Sequence, residues 1–519
     1  MRKIFRNNDI TLRIKPKWLI PSSVVVFIIL RFYALQSPDL NNTVWKEIDY
    51  LEISRNYTLN HFKFWEPTIS WPAEGPRVTA MEFPIIPYIA AIFYKIAGIN
   101  VLTARMITLV FFIILSLYLY KLVFLQTQNR WLAYLAMVIS FYLPLNFIFG
   151  RILFSEPAIV SLIVVSIYHM LKWTKTDSNK YFTYSFVIAG LCFLLKPTAM
   201  YVLVPLFYLY ITKVKSFNIL AYRRFAVGIS LSIIPAFLWY YYVYRLTLNS
   251  IDVFGIFGGH DKFQTVAMLL SRNWWIKIIY RFIELFGGTH ILIVCIIGVI
   301  AGIFKRENWL FHIILLSNVA FLFIVAEGNL DAPYRQFAFI ASASYFISYG
   351  IKELYDIIYK GYSRLFSNQK LFPIIRKDIG FTLIVLLVIF VFTTGFIKTH
   401  PDKDYIGHPR VYDLANKVNQ IKKDSSKLVV AGNYSAHKGG NDLSPVLYYY
   451  TNLQGWSLEK DNWNFEQIEK AKEKGADLFI GMNIFTPEAS DFIRNVSNKY
   501  KVLMKTTNYT ICDLKQLRE

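Results

Sequence analysis

The sequence predicts a polytopic α-helical membrane protein that ends in a small α/β domain. Three observations predict it. Apolar runs approaching the roughly 20 residues needed to cross a bilayer recur through residues 1–397. Lys and Arg gather in short connections between those runs, the charge bias of cytoplasmic loops. From about residue 398 the runs give way to short helix-like and strand-like segments. Composition agrees: 55% of residues are hydrophobic, 17% aromatic and only 17% charged, whereas soluble domains carry about 25% charged residues. The net charge of +22 does not mark a nucleic-acid partner, because the 398–519 segment holds 18 Lys/Arg against 15 Asp/Glu. The basic surplus belongs to the loops between spans. Of the three cysteines, Cys192 and Cys295 fall in apolar spans and Cys512 lies near the end. No metal-binding spacing or disulfide framework follows from them.

The elements follow in order. A basic start (Arg2, Lys3, Arg6, Arg13, Lys15, Lys17) precedes the apolar run 18–35, read as an uncleaved first span leaving the cytoplasm. Residues 36–101 form the first outer loop. Within it, 84–97 is apolar but short, bounded by Pro84 and Gly98, and reads as an interfacial helix on the outer face. Spans two to seven are placed at 102–122, 131–149, 156–172, 181–195, 198–212 and 225–245. An outer loop at 246–288 is rich in Trp and Phe, and spans eight to eleven are placed at 289–304, 308–326, 336–355 and 380–397. Eleven spans from an inside start put the 398–519 domain outside the cell membrane. Helices are expected there at 409–423, 465–474 and 487–499, and strands at 427–431, 477–480, 501–505 and 509–513. No internal repeat is visible, which argues against the transporter folds built from repeated halves.

The chemistry-bearing residues concentrate in the first outer loop. Glu47, Asp49 and Glu52 fall within six residues of one another. A carboxylate held at the mouth of a membrane bundle is costly to place and is a site candidate by default; ordinary solvated acids on a loop helix would give the same letters. Glu82 opens the interfacial helix. It could face the helix dipole, orient the base or hold a divalent cation, and the sequence leaves metal dependence open. Arg31, Arg55, Arg151, Lys196 and Arg335 stand at outer span ends. Singly, each could pair with an acid or reach lipid headgroups; together they suggest an anion, and arginine's planar fork suits phosphate. Arg151 and Glu156 flank one short turn and could pair. The aromatics Trp274, Trp275, Tyr280, Phe282 and Phe286 suit either sugar stacking or an interfacial belt.

These stretches resemble a known family, the GT-C superfamily of polyprenyl-phosphate-sugar glycosyltransferases, on the protein O-mannosyltransferase-like branch called glycosyltransferase family 39. Trp45-Lys46-Glu47-Ile48-Asp49 resembles the family's Trp-Arg-Gln-x-Asp-Thr stretch, and Ile53-Ser54-Arg55-Asn56 its Ile-Ala-Arg-Asn stretch. Glu82-Phe83-Pro84, Tyr94-Lys95-Ile96-Ala97-Gly98 and Arg105 follow in the family's order, and Arg151, Glu156-Pro157 and Lys196-Pro197 are also similar. The resemblance implies a membrane transferase with a polyprenyl-phosphate-linked sugar as donor and a glycan, lipid or protein acceptor on the outer face. It implies inversion, with Asp49 as general base and Arg55, Arg151, Lys196 and Arg335 as candidates for the donor phosphate. Lys46-Glu47 replaces Arg-Gln, and Tyr50 replaces Thr, so Glu47 stays a rival base. A polysaccharide polymerase or ligase, or a transporter of lipid-linked sugars, is the alternative.

Overall fold

The computed structural model describes residues 16–35, 44–70, 77–216, 218–249, 254, 256–257, 266–365, 409–432, 446–458, 460–482 and 489–518. The span expected at 380–397 lies outside them. Contacts divide the chain into two compact units: Met1–Gln36, Thr108–Tyr240 and Gly259–His400 form the first, and Ser37–Ile107, Tyr241–Gly258 and Pro401–Glu519 the second. The first outer loop therefore groups with the C-terminal segment, which the linear division at residue 397 does not anticipate.

The helical part runs α1 (Pro16–Leu35), α2 (Val44–Leu59), α3 (Ile85–Ala97), α4 (Val101–Thr127), α5 (Arg130–Tyr142), α6 (Pro144–Phe149), α7 (Glu156–Thr176), α8 (Asn179–Leu195), α9 (Leu203–Val214) and α10 (Arg223–Thr247). It continues with α11 (Val266–Leu269), α12 (Arg272–Leu285), α13 (Thr289–Ile303), α14 (Trp309–Ile324), α15 (Ala326–Asp331) and α16 (Ile340–Leu365). Among the described residues, five helical stretches are long and apolar enough to cross a membrane: Val101–Thr127, Glu156–Thr176, Pro197–Val214, Ile219–Thr247 and Arg306–Ile324. The pair α12 and α13, bent by 97°, makes a sixth if it is one broken span. The chain is an integral membrane protein. Several expected spans are shorter helices, α5 and α8 among them.

The breaks have local causes. The run expected at 131–149 splits at Leu143, because Pro144 offers no N–H to continue α5 and instead opens α6. Asn129 starts α5 by accepting a hydrogen bond from the Leu132 amide at 3.0 Å. The α12–α13 corner turns on Gly287 and Gly288, whose φ angles of 102° and 101° suit glycine. In the first unit α16 packs on α13 and α5, and α7 packs on α8 and α9. Glycines let α13 and α16 approach closely: a Cβ on Gly298 would overlap the Phe346 carbonyl oxygen, and one on Gly350 would overlap that of Val294.

In the second unit α2 packs on α3. The C-terminal segment adds helices α17 (Pro409–Ile421), α18 (Val446–Thr451), α19 (Phe465–Glu473) and α20 (Ala489–Lys499). It also holds strands β1 (Lys427–Ala431), β2 (Gln454–Ser457), β3 (Leu478–Met482), β4 (Tyr500–Lys505) and β5 (Tyr509–Leu517), in the order β2-β1-β3-β5-β4. β1 runs parallel to β2 and β3, and β5 antiparallel to β3 and β4. β3 is buried along its whole length and β1 along all but its first residue, as expected of parallel strands covered on both faces. Val429, Phe479, Ile468, Phe492, Ile493 and Val496 join one core. The strand β2 and the helix α18 were absent from the sequence expectation.

Candidate active site

The second unit brings the loop acids together on α2, a helix buried around nearly its whole circumference. Successive helical residues turn by roughly 100°, so Glu47 and Asp49 face nearly opposite sides. Glu47 is 1% exposed and meets Arg105, on the first turns of α4, in a two-pronged ion pair: Nε donates to Oε1 at 2.7 Å and Nη2 to Oε2 at 2.5 Å. Tyr50 donates its hydroxyl to Glu82 Oε2 at 2.8 Å, and Lys46 Nζ lies 4.0 Å from Glu82 Oε1. Asp49 is 1% exposed on the same helix. Lys46, Glu47, Asp49 and Glu82 are thus all held inside the protein, not on a solvated face.

Arg55, a candidate for the donor phosphate, is engaged by partners within the protein. Its Nη1 donates to the Tyr449 carbonyl at 2.9 Å, and its Nη2 donates to Ser70 Oγ at 3.1 Å and Glu52 Oε1 at 3.2 Å. The guanidinium also lies 5.3 Å from the Tyr449 ring centroid. Arg55 therefore joins α2 to α18. Glu52 is fully buried; burial pushes its carboxyl pKa up, opposed by Arg55 and Ser70. Burial likewise raises the Tyr449 hydroxyl.

In the first unit Lys196 Nζ donates to Glu156 Oε1 at 2.6 Å and stands 5.9 Å from the Tyr334 ring centroid. Arg151 is buried on the turn that leads into α7. Arg31 is buried too: Nη2 donates to Asn146 Oδ1 at 2.7 Å, Nη1 to the Phe147 carbonyl at 3.2 Å, and the guanidinium lies 4.3 Å from the Phe147 ring centroid. It braces the α5–α6 break. Arg335 is half-buried in the 3-10 turn Pro333–Phe339. Trp274, from the aromatic stretch, is buried and donates to the Ala326 carbonyl at 3.2 Å, whereas Trp275 and Tyr280 are exposed. Among the described residues no group of three or more His, Cys, Asp or Glu side chains could hold a metal ion.

Sequence reasoning assigned no role to Arg105, Tyr50, Ser70 or Tyr449. Arg105 left a signal, an arginine inside the start of an apolar span, which demands a partner. Ser70 and Tyr449 left none.

With this geometry described, the chain can be set beside known proteins. Residues 79–241 match the family model of the dolichyl-phosphate-mannose-protein mannosyltransferases, the family resemblance read from the loop motifs. Among solved structures, the fold is similar to ArnT from Cupriavidus metallidurans bound to undecaprenyl phosphate, with a TM-score of 0.62 at 11% identity over 96% of this chain and 98% of that one. It is also similar to the oligosaccharyltransferase AglB from Archaeoglobus fulgidus in complex with an inhibitory peptide and a dolichol-phosphate, with a TM-score of 0.54 at 11% identity over 94% of this chain and 73% of that one. The arabinofuranosyltransferase AftD from Mycobacteria gives a TM-score of 0.55 at 9% identity, over 96% of this chain and 40% of that one. No curated protein sequence matches this chain.

Proposed function

We propose that this protein is an inverting glycosyltransferase that moves a sugar from a polyprenyl-phosphate carrier to an acceptor hydroxyl at the outer face of the plasma membrane. The observation that carries the assignment of the base is the pairing of Glu47. Both of its oxygens are bound by the Arg105 fork, which gives Glu47 a structural partner in place of an acceptor hydroxyl. Glu52 is bonded to Arg55 and Ser70. Asp49 is buried on the same helix, and the family resemblance gives it the role of general base. The undecaprenyl phosphate and dolichol-phosphate bound by two structures of the same fold support the carrier class.

In this reading Asp49 accepts the proton of the acceptor hydroxyl as its oxygen attacks the anomeric carbon. The bond from that carbon to the phosphate oxygen breaks, and its electron pair leaves with the polyprenyl phosphate. Phosphate is already a good leaving group, so no acid need protonate it. Arg151, Lys196 and Arg335 neutralise its charge as the bond breaks. Glu82, bonded to Tyr50, holds α2 in place. Arg55 acts with Tyr449 as a clamp on the same helix. The N-terminus lies in the cytoplasm and the 398–519 domain outside, where the acceptor, a glycan, lipid or protein, is met.

Two measurements on one reaction test this. Purified protein given a polyprenyl-phosphate sugar of defined anomeric configuration should release polyprenyl phosphate, and the product should show the opposite configuration by NMR. Retention of configuration, or no release with any such donor, would contradict it.

A further inference from the structure

Arg31, Arg55 and Lys196 each spend their charged ends on bonds within the protein, whereas the Arg335 guanidinium makes none among the described residues. Its Nε is buried without a hydrogen-bond partner. It lies over Gly328 of α15. A Cβ built on Gly328 would overlap Arg335 Nη1 and stand 2.7 Å from Cζ and 3.0 Å from Val325 Cγ1. The backbone at Gly328 has no need of glycine: it is helical and is not among the positive-φ residues. A glycine inside a helix is about 1 kcal/mol less favourable than alanine. What Gly328 supplies in return is room for a flat guanidinium.

The floor beneath that guanidinium is tied down. Trp274 Nε1 donates to the Ala326 carbonyl at 3.2 Å, and Arg281 Nη1 donates to the Asn329 carbonyl at 2.6 Å. Gln336 Nε2 donates to the same carbonyl at 3.1 Å and to Asn329 Oδ1 at 3.2 Å. With α15 pinned at residues 326 and 329, an added methyl at 328 cannot be absorbed by moving the helix. The arginine fork, the far end of a flexible side chain, has to leave instead.

We infer that Gly328 is a positioning residue for the donor: it seats the Arg335 guanidinium so that its N–H groups stay available to a polyprenyl phosphate. This rests on the reading of Arg335 as a phosphate ligand. Arginine's directional fork makes binding sensitive to a displacement that a point charge would tolerate.

The test measures binding of undecaprenyl phosphate alone to the purified full-length protein in lipid nanodiscs, with no sugar and no turnover. Gly328→Ala, Arg335→Ala and the double variant are compared with wild type. Gly328→Ala is expected to weaken binding about tenfold or more while its thermal midpoint stays equal or rises, since alanine favours the helix. The double variant is expected to bind no more weakly than Arg335→Ala, because once the guanidinium is gone the methyl has nothing to displace. Wild-type binding by Gly328→Ala beside a weakened Arg335→Ala would overturn the inference and leave the phosphate role of Arg335 standing. Wild-type binding by Arg335→Ala would remove that role and the inference with it. Losses that simply multiply in the double variant would also overturn the inference, since Gly328 would then act through something other than Arg335.

Discussion

Glu47 and Asp49 are two residues apart on one helix and take different tasks because the helix aims them apart. Glu47 faces Arg105, and both are 1% exposed. Burying two charges is tolerable only while they remain paired; removing one partner of such a pair typically costs about 3–5 kcal/mol. Glu47→Gln should therefore lower the thermal midpoint of the purified protein markedly. An unchanged midpoint in Glu47→Gln would mean that the pair does not hold α2. The sequence made both acids visible as candidates and could not rank them on chemistry, because the deciding partner stands 58 residues away. Arg55 shows the same blindness at longer range. Its letters match a family stretch, yet the Tyr449 carbonyl that takes its Nη1 is 394 residues further on.

At the scale of elements, α2 is fixed at three points. Arg105 holds Glu47, Glu82 holds Tyr50, and α18 holds Arg55. A base on such a helix keeps its aim, which matters when an ångström of misplacement can cost about a hundredfold in rate. The close crossing of α13 and α16 makes a second claim at this scale. Gly298→Ala would press a methyl against the Phe346 carbonyl oxygen, which is backbone and cannot swing aside. Overpacking of this kind typically destabilises by about 1–3 kcal/mol, so thermal unfolding of Gly298→Ala should move down. A midpoint at the wild-type value would show that the crossing is looser than described. The breaks at Pro144 and at Gly287-Gly288 use residues whose meaning is local. β2 and α18 were not legible. β2 has four residues, including Gly455, and the Tyr-rich Val446–Thr451 run suits a strand as well as a helix by propensity.

For the whole molecule, the membrane character was legible because hydropathy and loop charge are summed over many residues. The count of spans was harder to read. The described residues hold five long apolar helices and one bent pair, whereas windowed hydropathy marks eleven spans. α5, with 13 residues, and α8, with 17, fall short of the roughly 20 expected of a full crossing. α16 carries Lys352, Glu353 and Asp356 along its later turns. The grouping of the first outer loop with the C-terminal segment depends on contacts such as that of Arg55, which no linear reading supplies. The orientation we propose makes a direct demand on intact cells. In a variant lacking Cys295, a cysteine replacing the exposed Leu517 should react with a membrane-impermeant maleimide. One replacing the exposed Ile219 should react only after permeabilisation. The reverse pattern would invert the proposed topology.

One transfer assay reads whether Asp49 is the base. Labelled polyprenyl-phosphate sugar is supplied to purified wild-type, Asp49→Asn and Glu47→Gln proteins, and kcat is measured for the folded fraction of each. A general base contributes about a hundredfold to ten-thousandfold. Asp49→Asn should therefore lose activity on that scale per folded molecule, and Glu47→Gln should keep much of its activity per folded molecule. Full activity in Asp49→Asn, with loss confined to Glu47→Gln, would contradict the account.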